Sequence, residues 1–460
     1  MVRRTVWWRA GGHRSRRLFA AAARATAVGA VLCTTAALPG GSAVAAGAPG
    51  GDTYAFAEGD RTVAGAKSTT DAARLKPGET YRSSIAKGAE LSYRLELDDA
   101  TTTAYVPVTV VPPAGATVSA TDGITVSVQD ANGTACSYAS ARFGAGLSPR
   151  PVTALGLREA GKALCQKAGT YYLLVKRLDA TGSATGSGGA SSSGTWGLEL
   201  APVTEPQPAE AGPTNAPEAW NSASPEAVTG DPDRRAGGAG FATARALAPG
   251  VWQTDIEPGQ TLFYKVPVDW GQQLYATAEL GSSSGEHGYV NGALDLSLHN
   301  PVRGNVDDVA RGYTGSQMEA VADPLPPVEY RNRYAVRDDV RAMRFAGSYY
   351  LVVHLSGQMA DRFGKGPFGL TLRVRVSGTA HTGPAYGGTP EQHKLFEVTR
   401  QDREAAATGD AGSGDPTMKA VAVGGIGTGT ALLLLLAVWT VVARRRAGTQ
   451  IRVSAQKPTT

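Results

Sequence analysis

The chain lacks the short motifs that mark common catalytic sites. It has no His-Glu-x-x-His pair, no phosphate-binding Gly-Lys-Ser/Thr loop, and no nucleophile elbow between a strand and a helix. Histidine is scarce, with six in 460 residues, and none stands at metal-ligand spacing. These absences argue against a metalloprotease, a nucleotide hydrolase or a serine hydrolase. The chain is read as non-enzymatic and without a cofactor. Acid is missing from both ends. The seven Arg of residues 1–45 and the five basic residues of 444–460 have no acidic neighbours within those segments. The formal charge of +5 therefore comes from the termini, and the stretch between them is net acidic. That removes the electrostatic footprint of a nucleic-acid binder.

Only three cysteines occur. Cys33 falls in an export signal. Cys136 and Cys165 remain, an even number in an exported chain, and are expected to form one disulfide.

What the chain does have is a repeat. Gly169-Thr-Tyr-Tyr-Leu-Leu-Val175 returns as Gly347-Ser-Tyr-Tyr-Leu-Val-Val353. Each copy is followed by a matched element, Gly194-Thr-Trp-Gly-Leu-Glu-Leu200 and Gly366-Pro-Phe-Gly-Leu-Thr-Leu372. Each is preceded by Leu-x-Pro-Gly, at Leu75 to Gly78 and Leu247 to Gly250. Period-two alternation marks strands in both copies. Leu91, Tyr93, Leu95 and Leu97 correspond to Leu262, Tyr264, Val266 and Val268. Ile124, Val126 and Val128 correspond to Leu294, Leu296 and Leu298. Pro267, on the outward parity of its strand, predicts an edge or a bulge there. Tyr171, Leu173 and Val175, with Tyr349, Leu351 and Val353, are expected to face the cores.

The domain reading follows. Residues 1–45 are a signal peptide, with a basic start, an apolar middle and Ala43-Val44-Ala45 as a cleavage site. Ser15-Arg-Arg-Leu-Phe19 resembles the twin-arginine export motif, and an ordinary Arg-rich signal remains the alternative. Residues 60–201 form the first repeat, 202–228 a Pro-rich linker, and 229–377 the second repeat. Residues 378–419 are a polar stalk in which 395–407 can form a short helix. Residues 420–443 are apolar and small, long enough for a bilayer core of roughly 30 Å. Arg444 to Arg446 follow at once, which places residues 444–460 in the cytoplasm. The fold class is all-β: two tandem jelly-roll-like β-sandwiches and one C-terminal transmembrane helix. The protein is expected at the cell membrane, single-pass, with an extracellular ectodomain.

The pattern Leu-x-Pro-Gly, the strand Leu91-Ser-Tyr-Arg-Leu95, then Ala168 to Val175 and a closing strand, resembles bacterial pre-peptidase C-terminal domains. The second repeat, with Gly259-Gln-Thr-Leu-Phe-Tyr-Lys-Val266 and Asp269-Trp-Gly-Gln-Gln273, also resembles modules of actinobacterial surface proteins that carry a von Willebrand type A domain. Asp295-Leu-Ser-Leu-His299 lacks the second Ser of that domain's metal site. The resemblance implies β-sandwiches with an accessory or binding role. The expected partner is an envelope protein or a cell-wall glycan, besides the membrane itself. The alternative role is that of an accessory subunit of a secreted peptidase or an envelope assembly complex.

Candidate site residues lie in 303–344, read as a long loop inserted in the second repeat. Tyr313, Tyr330, Arg331, Arg333 and Tyr334 combine the residue types that serve interfaces. Asp307, Asp308, Asp338 and Asp339 are weak Ca²⁺ candidates without EF-hand spacing. His354 lies on the hallmark strand, at the place held by Lys176 in the first repeat, and is expected to be solvated. Ala405-Ala-Ala-Thr-Gly409 resembles a sortase sorting signal, with Ala405 in place of the usual Leu.

Overall fold

The computed structural model describes residues 54–180, 193–210, 212–215, 219–283, 288–388 and 393–409. The expected signal peptide, membrane helix and cytoplasmic tail lie outside the described residues, as does His287. Among the described residues no helix is long and apolar enough to cross a membrane. All of them belong to one compact unit, residues 49–460.

The first repeat begins with β1 (Arg61–Thr62), β2 (Ala73–Leu75), β3 (Tyr81–Ile85), β4 (Glu90–Leu97) and β5 (Thr103–Val111). It continues through β6 (Gly123–Asp130), β7 (Ala135–Arg142), β8 (Val152–Arg158), β9 (Gly169–Leu178), β10 (Trp196–Leu200) and β11 (Val203–Glu205). The second repeat has β12 (Asp233–Arg234), β13 (Arg245–Ala246), β14 (Gly250–Ile256), β15 (Thr261–Val268) and β16 (Gln273–Leu280). Then come β17 (Val290–His299), β18 (Asn305–Tyr313), β19 (Met318–Val321), β20 (Gly347–Leu355) and β21 (Phe368–Ser377).

Each repeat folds into two sheets. In the first, β1-β3-β10-β5 carries β8 and β11 on β5, and faces β2-β4-β9-β6-β7. In the second, β12-β14-β21-β16-β19 faces β13-β15-β20-β17-β18. The two orders match strand for strand, and they are the two-sheet order of a jelly roll. Only the short strands β1, β2, β12 and β13 pair in parallel; every other pairing is antiparallel.

The alternation read from sequence sets which residues make the cores. Tyr171, Leu173 and Val175 are buried in the first core, and Tyr349, Leu351 and Val353 in the second. A shared close approach confirms the duplication. A Cβ on Gly65 would stand 2.7 Å from the Tyr93 hydroxyl, and one on Gly237 would stand 3.0 Å from Cζ of Tyr264. Only glycine lets the lead-in segment pass over that buried tyrosine in each repeat.

The differences between the copies have local causes. β21 runs unbroken where its counterpart is split into β10 and β11 at Ala201 and Pro202. The split faces Pro107 of β5, whose carbonyl accepts from Ala201 N at 3.2 Å and whose nitrogen has no hydrogen to give. The first repeat therefore runs on to Glu205. Pro267 of β15 lies beyond Ala246, where the short flanking strand β13 has ended, so its missing N–H costs no ladder bond.

Residues 303–344 are not one long loop. They contain β18 and β19, the counterparts of β7 and β8. The added part follows Val321 and holds a 3-10 turn, Tyr330–Tyr334, and a short helix, Asp338–Ala342. The linker is not a free spacer either. Its later part lies on the second repeat, where Gln273 donates to Asn221 O at 2.9 Å and Arg373 to Val228 O at 2.9 Å. The stalk helix is shorter than expected and spans Arg400–Thr408. It is opened by a Thr399–Asp402 capping box and closed by Gly409 in the left-handed region.

Candidate binding site at the junction of the sandwiches

The outer face of the β3-β10-β5-β8 sheet packs on the outer face of the β15-β20-β17-β18 sheet. Three carboxylates of the first repeat, Glu159, Glu199 and Glu205, meet guanidinium groups of the second, and Arg150 with Asp295 makes the reverse pair. Glu199 of β10 is wholly buried and pairs with Arg303. It also accepts from the Tyr54 hydroxyl at 3.1 Å and from Ala57 N at 3.3 Å. Glu205 of β11 pairs with Arg333 at 2.6 Å and accepts from the hydroxyls of Tyr105 at 2.7 Å and Tyr386 at 3.0 Å. Glu159 meets Arg344 at 2.9 Å, and Arg344 also donates to the Tyr105 hydroxyl at 3.0 Å. Burial alone would lower the pKa of Arg303, but the Glu199 carboxylate outweighs it and holds the guanidinium charged. Around these pairs Tyr105 meets Phe345 edge-on at 5.4 Å, and Phe345 stacks on Phe396 at 5.2 Å. Each buried carboxylate is thus supplied with several donors, which buried charge requires.

Beside this seam the repeats leave a cleft of about 710 Å³, lined among others by Arg150, Gln260, Thr261, Gln358 and Asp361. In its wall lies a hydroxyl–imidazole–hydroxyl chain. His354 Nε2 is 2.8 Å from Ser148 Oγ, and its Nδ1 is 2.9 Å from Thr261 Oγ1. The chain has the outline of a nucleophile, base and orienting group, but its chemistry differs. A hydroxyl replaces the carboxylate that would hold an imidazolium. Burial, then the nearby Arg150 charge, drives the His354 pKa down to about 3. Gly357 N donates to the same Ser148 oxygen at 3.1 Å. The group is a neutral tie between the repeats.

His354 is therefore the main correction to the sequence reading. It is 2% exposed rather than solvated, while Lys176 at the same place in the first repeat is exposed. The outer face that carries Lys176 is open; the one that carries His354 is covered by the first repeat.

Next to His354 is a polar cavity of about 170 Å³ lined by Arg142, Arg150, Asp295, Ser297, His299 and Asp308, among others. Asp295 pairs with Arg150 at 3.0 Å. Ser297 Oγ lies 2.9 Å from one oxygen of Asp295 and 2.9 Å from one of Asp308. One hydroxyl proton cannot serve both carboxylates. Burial is the largest cause that raises the Asp295 pKa to about 6, with Arg150 opposing and Asp308 adding to the rise. Burial also lowers the His299 pKa to about 4.

The residues singled out from sequence do not form one exposed surface. Tyr313 is buried in the second core, donating to Gly281 O at 2.7 Å and packed edge-on against Phe363. Tyr330 and Arg333 are brought together, with the guanidinium 3.3 Å from the ring centroid, but they face Glu205 within the junction. Arg331 is half-buried and Tyr334 is exposed. Their loop has folded back onto its own molecule. Asp307 accepts from Asp308 N and Asp323 N, while Asp338 pairs with Arg341 and Asp339 with Arg337. Among the described residues no three His, Cys, Asp or Glu side chains gather as a metal site. Ala405 and Ala406 of the sorting-like motif are buried in the Arg400–Thr408 helix, against Ala246.

The junction residues Glu199, Glu205, Arg344, Tyr105 and Asp295 escaped the sequence reading, because each stands on the outward parity of a strand or in a connection. One signal was available. Where the first repeat has Ser92 on the outward face, the register places Phe263 in the second, and a phenylalanine there asks for a cover.

No family model matches the sequence. No curated protein matches it either. Among solved structures, the tandem CBM22-1–CBM22-2 domain of Paenibacillus barcinonensis Xyn10C shares 10% identity, with a TM-score of 0.18, over 66% of this chain and 92% of that one. The CUB1-EGF-CUB2 domain of human MASP-1/3 shares 9%, with a TM-score of 0.15, over 64% and 99%. The ANX1 ectodomain from Arabidopsis thaliana shares 9%, with a TM-score of 0.15, over 68% and 92%. Superpositions this loose assign neither a family nor a ligand.

Proposed function

We propose that this is a non-enzymatic, membrane-anchored cell-surface protein that binds or scaffolds an envelope component, presenting its two sandwiches as a single rigid head. The observation that carries this reading is the junction. Buried ion pairs and stacked aromatics join the repeats, as in a fixed platform and unlike beads on a string. The apolar segment 420–443 and the basic residues after it supply the anchor. The quoted likeness to pre-peptidase C-terminal domains supports an accessory role beside a secreted or envelope protein. The junction cleft, at the meeting of two domains, is the first place to look for a glycan or peptide.

Crosslinking of the native membrane protein, followed by mass spectrometry, tests this. An envelope protein or wall glycan joined to the ectodomain is the expected product. Hydrolysis of casein or ester substrates by the purified protein would replace the reading with an enzymatic one. Protease added to intact protoplasts should remove both sandwiches and leave a short C-terminal fragment. Release of the full-length chain into the medium would overturn the anchored topology.

A further inference from the structure

Most of the expected stalk is part of the head. Ala385 O accepts from Ala209 N at 2.6 Å, and Gly387 N donates to Gln207 O at 2.9 Å. The Tyr386 hydroxyl between them reaches Glu205. His381 Nε2 lies 3.0 Å from Glu329 of the second repeat. Phe396 is wholly buried in the junction, where it stacks on Phe345. The Arg400–Thr408 helix then packs on β13 and β15. Ala405 and Ala406 bury against Ala246, and Arg403 pairs with Asp269 at 2.7 Å. The Arg235 guanidinium closes the far end of the helix, where a Cβ on Gly409 would collide with it.

This docking shortens the tether. The apolar stretch that supplies the proposed anchor begins at Ala420, and ten residues, Asp410 to Lys419, separate it from Gly409. In any conformation they reach at most about 35 Å, against about 150 Å for the whole of 378–419. Given that anchor, the β13 edge of the second repeat is the part of the head held close to the bilayer. The sheet runs β13-β15-β20-β17-β18, so its β18 edge is about 19 Å away.

The tether leaves beside a group of arginines. Arg234 and Arg245 are exposed. Burial lowers the Arg235 pKa and Asp233 opposes it; Arg245 stands near enough to add to the fall. Arg234 meets Asp255 at 3.7 Å, a long surface pair of a kind that contributes little in water. The helix adds no net charge, with Arg400 and Arg403 against Asp402 and Glu404. Three guanidinium groups thus stand with two carboxylates, Asp233 and Asp255, at the point where the tether leaves. Guanidinium groups stay charged and match the oxygens of a phosphate.

We propose that this edge is seated on the lipid surface, with Arg234 and Arg245 on the phosphates of anionic headgroups, Arg235 behind them, and the β18 edge turned away. The proposal rests on the anchor at 420–443. A short tether keeps the arginines at high local concentration over the headgroups, so contacts that are weak singly suffice.

The test uses the full-length chain in vesicles of equal parts phosphatidylglycerol and phosphatidylcholine. A photocrosslinker is placed at position 236, next to Arg235, or at position 138, on the strand whose Ser140 and Arg142 reach the cavity beside Asp308 of β18. Lipid adducts are read by mass spectrometry. They are expected at 236, several-fold above 138. A Gly-Ser spacer as long as the expected stalk, inserted after Gly409, should bring the two positions level without touching the fold. Arg234→Glu with Arg245→Glu should lower the yield at 236 to that found in phosphatidylcholine alone. Equal yields at the two positions in the native chain overturn the proposal, as does a yield at 236 that the spacer leaves unchanged. A yield that charge reversal leaves unchanged overturns the assignment to the arginines. A chain that does not float with the vesicles removes the anchor and this proposal together, whereas one that floats and gives equal yields removes this proposal alone.

Discussion

Glu199 and Arg303 pair across the junction although 104 residues separate them in the chain. Glu199 has no exposure to solvent, and Arg303 is nearly enclosed, with its guanidinium 4.7 Å from the Phe241 ring centroid. Glu199→Ala would leave a buried cation without its partner. The expected loss is about 3–5 kcal/mol by chemical denaturation. A double-mutant cycle with Arg303→Met should return a large part of it. Additive losses would show that the pair is not coupled.

The extent of the junction predicts one unfolding event. Calorimetry of the protein should give a single transition with both repeats melting together, because neither outer face can shed its partner without exposing buried charge. Two well-resolved transitions would mean that the repeats are independent.

His354→Ala should be costly, contrary to what the Lys176 comparison suggests. It strands the hydroxyls of Ser148 and Thr261, each buried or half-buried, and the expected cost is about 1–3 kcal/mol. Leu173→Ala and Leu351→Ala should cost roughly 2–5 kcal/mol each, since both side chains are fully buried in the two cores. A thermal melt of the three variants checks the ranking.

Acid should loosen the junction. His354 and His299 have pKa values lowered to about 3 and about 4. The stability they contribute is complete above their unfolded value of about 6.5. It is lost as pH falls from there through the folded values. Asp295 acts in the opposite sense: its pKa is raised to about 6, so its contribution is complete below about 3.8 and fades as pH rises through 6. Between pH 4 and 6 two imidazoles oppose one carboxyl, and stability should rise with pH. Melting temperatures across that window give the slope, and His354→Gln should flatten it. A falling slope would show that Asp295 dominates.

Reduction should destabilise the whole cooperative unit through its first repeat. Cys136 and Cys165 are bonded, at a sequence separation of 29. A loop of that size contributes about 3–4 kcal/mol in the chain-entropy account. Cys136→Ala with Cys165→Ala should lower the denaturation midpoint by a corresponding amount. An unchanged midpoint would place the loop's order elsewhere.

The repeat, the strand alternation and the disulfide were legible in the sequence because each is local or repeated. Tyr171, Leu173 and Val175 announce a buried face by period alone. The junction was not legible. Glu199 sits between Leu198 and Leu200 and reads as the solvated side of an amphipathic strand; only the arrival of a second sheet turns that side inward. His354 misled for the same reason: its twin Lys176 is exposed because the twin face is bare. The residues from Tyr330 to Tyr334 read as a partner-binding loop, and Arg333 does bind a carboxylate, one that the same molecule supplies.

The separation of Glu199 from Arg303 also sets an order of events during biosynthesis. The first sandwich is complete at Glu205, while every guanidinium that its outer face will meet lies farther along the chain. For the time it takes to make those residues, Glu199, Glu205 and Tyr105 stand without their partners, and Arg150 without Asp295. Tyr54, ahead of the first sandwich, also waits for Phe263. On the export proposed above, a translocation route that threads the chain would have to keep this half-finished surface from aggregating on the far side; one that moves folded proteins would never expose it there.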